Sequence, residues 1–231
     1  LNLSKEELLA GKLFLLDKPL HWTSFDVVNK LRYQFKKRFG LKKIKVGHAG
    51  TLDPLATGLL LIFAGKMTKQ INQYMGLPKT YTGTITLGAS TPSYDLETEV
   101  NQTFKTEHIT PALIEKTRLQ FIGDQMQEPP KFSAIKKGGV KAYDAARKGE
   151  DLKLAPRPVQ ISNFSITAQQ GLELDFEVTC SKGTYIRSLA HDFGQAMQSG
   201  AHLSALRRTA IGDFKAAAAD TVDTFIENLK A

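Results

Sequence analysis

Hydrophobic and polar positions follow two rhythms along this chain, and the change from one to the other marks out its elements. Tyr81, Gly83, Ile85 and Leu87 alternate with Thr80, Thr82, Thr84 and Thr86, which predicts a strand by period and by residue type. Leu172, Leu174, Phe176, Val178 and Cys180 predict another. The run from Leu59 to Ala64 has no polar position, as expected of a buried strand, and Gly65 closes it. Phe25, Val28, Leu31 and Phe35 recur at helical spacing instead. Thr23 or Ser24 can cap that helix, Lys36, Lys37 and Arg38 suit its C-terminal dipole, and Gly40 suits its end.

Weaker signals fill in the rest. Residues 1 to 12 read as a short polar helix or arm, and Leu13 to Leu16 as a brief strand. Thr110-Pro111 opens a helix through about Phe121, with proline in its first turn. A helix from Ser188 to Met197, a strand from about Leu206 to Phe214 and an amphipathic C-terminal helix follow. Residues 89 to 109 are polar and acidic, a loop or strand pair carrying Asp95 and Glu97. Gln127 to Gly149 is irregular and rich in Pro, Gly and Lys, the pattern of a functional or mobile segment. Strands and helices do not alternate regularly and no G-x-G-x-x-G occurs. The expected class is therefore α+β, a central mixed or antiparallel sheet flanked by helices.

Charge changes the picture. The 231 residues carry 31 Lys and Arg against 23 Asp and Glu, a net charge of +8 that favours an anionic partner, most often nucleic acid. Lys42, Lys43 and Lys45 extend the basic end of the first long helix, as a solvated cationic surface or a phosphate-binding patch. The single cysteine, Cys180, excludes an internal disulfide and fits a reducing cytoplasm. No apolar run approaches the ~20 residues of a membrane span, so no membrane partner is expected. His21, His48, His108, His191 and His202 form no ligand spacing, so no metal is expected either. Gly65-Lys66-Met67-Thr68-Lys69 lacks the spacing of a phosphate loop and has Met67 where Ser or Thr is needed, which excludes a nucleotide triphosphatase.

The richest chemistry lies in Gly47-His48-Ala49-Gly50-Thr51-Leu52-Asp53-Pro54-Leu55-Ala56-Thr57-Gly58-Leu59-Leu60. Between Val46 and Ala64 it holds one acid, Asp53, and one imidazole, His48. Pro54 biases Asp53 away from the helical region, and Gly47, Gly50 and Gly58 permit close backbone approach. A lone carboxylate on such a loop, at the mouth of a buried strand, suits catalysis. A bare Asp-Pro turn is the competing reading.

This stretch resembles the catalytic motif of the TruB family of tRNA pseudouridine synthases. Lys18-Pro19 with Thr23-Ser24 resembles the family's N-terminal motif, and Gly65-Lys66 with Thr68-Lys69, then Lys79 and Tyr81, the next two. Gln127 to Lys136, with Gly138 and Tyr143, resembles its thumb loop. Ser181 to Leu189 resembles the basic motif, and Gly200 to Arg208 the last one. The resemblance spans roughly residues 13 to 214.

It implies a pseudouridine synthase fold with a thumb near residues 127 to 150, in one catalytic domain over residues 1 to 231. The implied reaction converts uridine 55 in the T arm of tRNA to pseudouridine, with no metal or cofactor. Little sequence follows Phe214, so no C-terminal PUA-type RNA-binding domain and no guide RNA are expected; a monomer is expected as well. By resemblance Asp53 is the catalytic carboxylate, acting at C1′, at C6 or on the C2′ proton. Arg187 is its charge partner, and Tyr81 stacks on the flipped uracil and accepts or relays the C5 proton. Tyr185 packs beneath the base, and His48 occupies or widens the place the base leaves. Lys18, Lys69, Lys136 and Arg208 bind phosphate or stabilise motifs, and Leu206 joins the substrate-binding set. Asp95 corresponds to the family's buried acid, although Ser90 to Asp95 departs from the commoner Asp-rich segment. The same isomerisation on another RNA, or a tRNA-binding folding chaperone, are the alternative functions.

Overall fold

A computed structural model describes residues 3–150, 152 and 154–230. The chain forms two compact units, one built from residues up to Tyr81 and from Leu206 onward, the other from Thr82–Ala205.

The strand Ala56–Ala64 is the spine of the first unit. Lys12–Lys18 lies antiparallel to it, with Leu16 opposite Leu60. Val46–His48 is also antiparallel, with His48 opposite Ile62, and residues 206–208 run parallel, with Leu206 opposite Ala56. The unbroken apolar run is explained by burial on both faces. Leu60, Ile62 and Ala64 pack with Phe14, Phe35 and Phe225 on one side, while Leu59, Leu61 and Phe63 pack with Ile211 on the other. Each Leu, Ile or Phe side chain among them contributes about 1.5–3 kcal/mol by leaving water.

The helix Ser24–Phe39 forms where expected and ends at Gly40, whose φ of 60° is left-handed, but its buried face is Val27, Val28, Leu31 and Phe35, and Phe25, counted in the apolar spacing, faces solvent. Its cap is Thr23, in a reciprocal capping box with Asp26. Ser24, the other candidate, is thereby left for a different partner.

In the second unit the strands run in the order Lys79–Leu87, Glu173–Cys180, Arg157–Gln170, Gly123–Gln127. Lys79–Leu87 itself continues across the unit boundary at Tyr81. Arg157–Gln170 is antiparallel to both its neighbours and does not announce itself in the sequence. Register shifts at Ile161/Asn163 and Ile166/Ala168 break its alternation, so buried Val159, Ile161 and Phe164 do not keep a period of two. The helix expected from Ser188 starts earlier, at Ile186, and the final strand begins at Ala201 rather than Leu206. Residues 89 to 109 are mostly loop, with one short pairing of Ala89–Ser90 and Gln102–Thr103. The irregular stretch after Gln127 contains a small hairpin and the helix Ala142–Arg147. The α+β class holds. Among the described residues no helix is long and apolar enough to cross a membrane, and no group of three or more His, Cys, Asp or Glu could hold a metal ion.

Candidate active site

Asp53 sits half-buried at the first position of a tight turn, closed by the Ala56 N–H donating to the Asp53 carbonyl at 3.0 Å. Pro54 fills the second position, where its fixed φ favours the turn. The residue before Asp53 is clipped in place. Leu52 donates its N–H to Ser24 Oγ at 2.8 Å, and that hydroxyl donates to the Leu52 carbonyl at 3.2 Å. On the other side, Ala49 donates to the Leu61 carbonyl at 3.1 Å. The carboxylate thus rides on a loop held at both ends by the buried framework.

Three buried cations line the same unit, each anchored on main-chain carbonyls. Lys18, 0% exposed, donates to the Pro19 and Trp22 carbonyls at 2.9 and 2.6 Å. Arg208, 1% exposed, donates from Nε to Leu59 at 2.8 Å and from Nη2 to Gly50 at 3.0 Å. Lys79 donates to the Met75 and Leu77 carbonyls at 2.7 and 2.6 Å. Burial pushes the Lys18 ammonium down to about 8, the Asp53 charge raises it, and Arg208 lowers it further. Asp53 and Arg208 are therefore within electrostatic reach of Lys18. His48 lies beside them, its Nδ1 buried without a hydrogen-bond partner. Burial first, and the Arg208 charge second, hold His48 below the usual imidazole range, which keeps it neutral.

Gly58 closes this arrangement. Its φ is +104°, and a Cβ there would stand 2.3 Å from the Arg208 carbonyl oxygen. Only glycine lets the strand carrying Arg208 approach this closely. Tyr81 is buried at the start of its strand, and Leu206 is half-buried opposite Ala56.

Arg187, Asp95 and Tyr185 belong to the second unit. Arg187 lies in the first turn of the helix Ile186–Ala196 and is 4% exposed. Its Nε stands 3.6 Å from Oδ2 of Asp95, while Nη1 and Nη2 donate to the Ser93 and Phe132 carbonyls at 3.1 and 2.9 Å. Phe132 belongs to the thumb segment, so one guanidinium joins helix, buried acid and thumb. Gln127 secures the helix start, accepting from the Tyr185 N–H at 2.8 Å and donating to its carbonyl at 3.1 Å. Ser188 Oγ donates to the Glu128 carbonyl at 2.8 Å. The Tyr185 ring is half-buried, with the Arg157 guanidinium 5.1 Å above it.

Lys69 is exposed in the 3-10 turn Gly65–Gln70. Lys136 lies in the thumb hairpin, and its side chain falls outside the described residues. Sequence reasoning placed Lys79 and Gln127 in motifs but gave them no role, and it did not find the Ser24 clip. The Thr23–Asp26 spacing of a capping box was the available signal that Ser24 was not needed as the cap.

Comparison with known proteins places the chain in a family. The model of the TruB family pseudouridylate synthase N-terminal domain matches residues 36–186, and that of the tRNA pseudouridylate synthase B C-terminal domain matches residues 187–230. The chain is 56% identical over 229 residues to tRNA pseudouridine synthase B of Flavobacterium johnsoniae, covering 99% of this chain and 100% of that one. It is 51% identical to the protein of the same name from Phocaeicola vulgatus, covering 94% and 92% respectively. Among solved structures it resembles a chain of a Cbf5-Nop10-Gar1 complex, with a TM-score of 0.72 at 28% identity. It also resembles a chain of an H/ACA RNP bound to a substrate RNA containing 2′-deoxyuridine, with a TM-score of 0.69 at 26% identity. Those alignments cover 96% of this chain but only 55% and 54% of the solved chains.

The α+β fold, with its sheet and flanking helices, is that of the pseudouridine synthases. Within that class, this chain belongs to the TruB family.

Proposed function

We propose that this protein isomerises uridine 55 in the T arm of tRNA to pseudouridine, acting as a monomer in the cytoplasm without guide RNA, metal or cofactor. The observation that carries the reading is Asp53 itself, a turn-held carboxylate clipped through Leu52 to Ser24 and within reach of Lys18.

The reaction is internally balanced. The N1–C1′ bond breaks, uracil turns, C5 bonds to C1′, and the C5 proton departs as N1 gains one. Asp53 begins it as an ionised carboxylate, and Lys18⁺ favours that form. Tyr81 stacks on the uracil and relays the C5 proton. Arg187 supplies positive charge to the reacting centre. Neutral His48 fills the place of the extruded base, and Tyr185 packs beneath that base. Lys18, Lys69, Lys136, Arg208 and Leu206 complete the substrate-binding set, with Asp95 holding Arg187.

The test is pseudouridine mapping on an unmodified tRNA transcript with wild type and Asp53→Asn side by side. Conversion at the single T-arm uridine, abolished in the variant, is expected. Conversion elsewhere would overturn the substrate, and tight tRNA binding by both proteins without conversion would replace catalysis by folding assistance.

A further inference from the structure

A groove of about 590 Å³ opens in the first unit, and of its lining residues only Lys69 belongs to the substrate-binding set named above. Arg32 and Lys36 approach from the helix Ser24–Phe39. Lys42, Lys43 and Lys45 come from the loop after it, and Lys66 and Lys69 from the turn Gly65–Gln70. No Asp or Glu lines it among the described residues. Those seven cations compare with a net charge of +8 for the entire chain, so the excess is gathered here rather than spread.

The walls are fixed. Leu41 donates its N–H to the Lys36 carbonyl at 3.1 Å, so the helix end and the loop share one frame. Gly65 donates to the Lys45 carbonyl at 3.0 Å, tying the loop to the opposite wall. Half-buried Ile44 packs on the hydrophobic core, and Arg32 Nη2 donates to the Val46 carbonyl at 3.2 Å. The lysine heads are exposed above this frame. Like charges gathered on a rigid concave surface repel one another, and a polyanion relieves that repulsion.

The helix points to the kind of polyanion. Phe25 is 59% exposed, and the Arg32 guanidinium lies 5.9 Å from its ring. Phe25, Arg32 and Lys36 share one helix face by spacing. An exposed ring on the same helix as part of a cationic groove suits nucleic acid, whose bases stack while its phosphates pair with lysines.

We infer that this groove is a second RNA-binding surface, which takes the phosphate backbone of tRNA outside the loop that carries the reacting uridine. The inference rests on the reading of the chain as a tRNA pseudouridine synthase. The experiment compares wild type with Lys36→Glu/Lys42→Glu/Lys43→Glu, using whole tRNA and an isolated T-arm stem-loop, and measures Kd, KM and kcat for each. The same three positions changed to Gln give a milder variant, and a melting curve checks that both variants fold. For whole tRNA, Kd and KM should rise about tenfold or more with kcat unchanged, and the salt slope of binding should fall by about three. The stem-loop constants should stay at wild-type values. Equal weakening on both RNAs would overturn the inference, as would no change on either. Weakened binding to anionic vesicles alone would overturn it in favour of a membrane surface. Wild type that binds tRNA without converting it would remove the enzymatic reading, and the two Kd comparisons would still decide the groove.

Discussion

Ser24 and Leu52 stand 28 residues apart in sequence, yet one hydroxyl accepts the Leu52 N–H and donates to the Leu52 carbonyl. Because Leu52 precedes Asp53, this pair sets the entry angle of the carboxylate. Ser24→Ala should cost about 1–2 kcal/mol of stability and lower kcat about tenfold or more, since small displacements of a reacting group are costly. Ser24→Thr keeps the hydroxyl and should restore most of the rate. Melting curves and single-turnover rates on tRNA check both; an unchanged kcat in Ser24→Ala would show that the clip does not position Asp53.

Lys18 should make rate and stability move in opposite directions with pH. Its folded value, about 8, lies below the ordinary lysine value, so the fold disfavours its charged form. Stability contributed by this group therefore rises as pH climbs through about 8 toward the unfolded value near 10.4. Over the same window Asp53 loses a neighbouring positive charge, and kcat should fall. Lys18→Met should be slower at neutral pH and lose that alkaline decline. A decline retained by the variant would assign it to another group.

Asp192 carries the opposite signature. Burial, and then the nearby Glu128 charge, raise its carboxyl to about 6. A raised acid is destabilising when ionised, so the penalty is absent below about pH 4, grows through pH 6 and is complete above it. Asp192→Asn should raise the melting temperature at pH 7.5 by a few degrees, and the gain should vanish at pH 4. A gain that does not change with pH would point to packing instead.

Arg187→Lys should slow catalysis at least tenfold, because an ammonium cannot serve Asp95, Ser93 and Phe132 together from one plane. Faster amide hydrogen exchange over residues 128–135 should accompany it. Lost rate without that change would confine Arg187 to the reacting centre.

Gly58→Ala should be strongly destabilising for a single added methyl. The added carbon meets the Arg208 carbonyl oxygen at 2.3 Å and a φ of +104°, so a loss of about 2–5 kcal/mol is expected. A melting curve close to wild type would show that the two strands can separate locally without cost.

Much of this was legible in the sequence because local chemistry and tertiary demand agreed. The run from Leu59 to Ala64, the capped helix ending at Gly40 and the turn at Asp53-Pro54 each follow from residue type and spacing alone. Asp95, whose flanking sequence is unusual, is buried within 3.6 Å of Arg187. What stayed hidden depends on residues far apart. The bulges in Arg157–Gln170 scramble its alternation, and the lysine seats are made of carbonyls, which every residue type possesses. The gathering of Arg32, Lys36 and the lysines beyond them around one groove requires two chain segments to meet.

Those carbonyl seats have an evolutionary consequence. No side-chain substitution can delete a peptide oxygen, so neighbouring positions such as Pro19, Trp22 and Met75 can drift without removing the acceptors that hold Lys18 and Lys79. Selection at these places acts on the path of the chain. Relatives should therefore keep the cations and the backbone trace while varying in the residues that supply the oxygens.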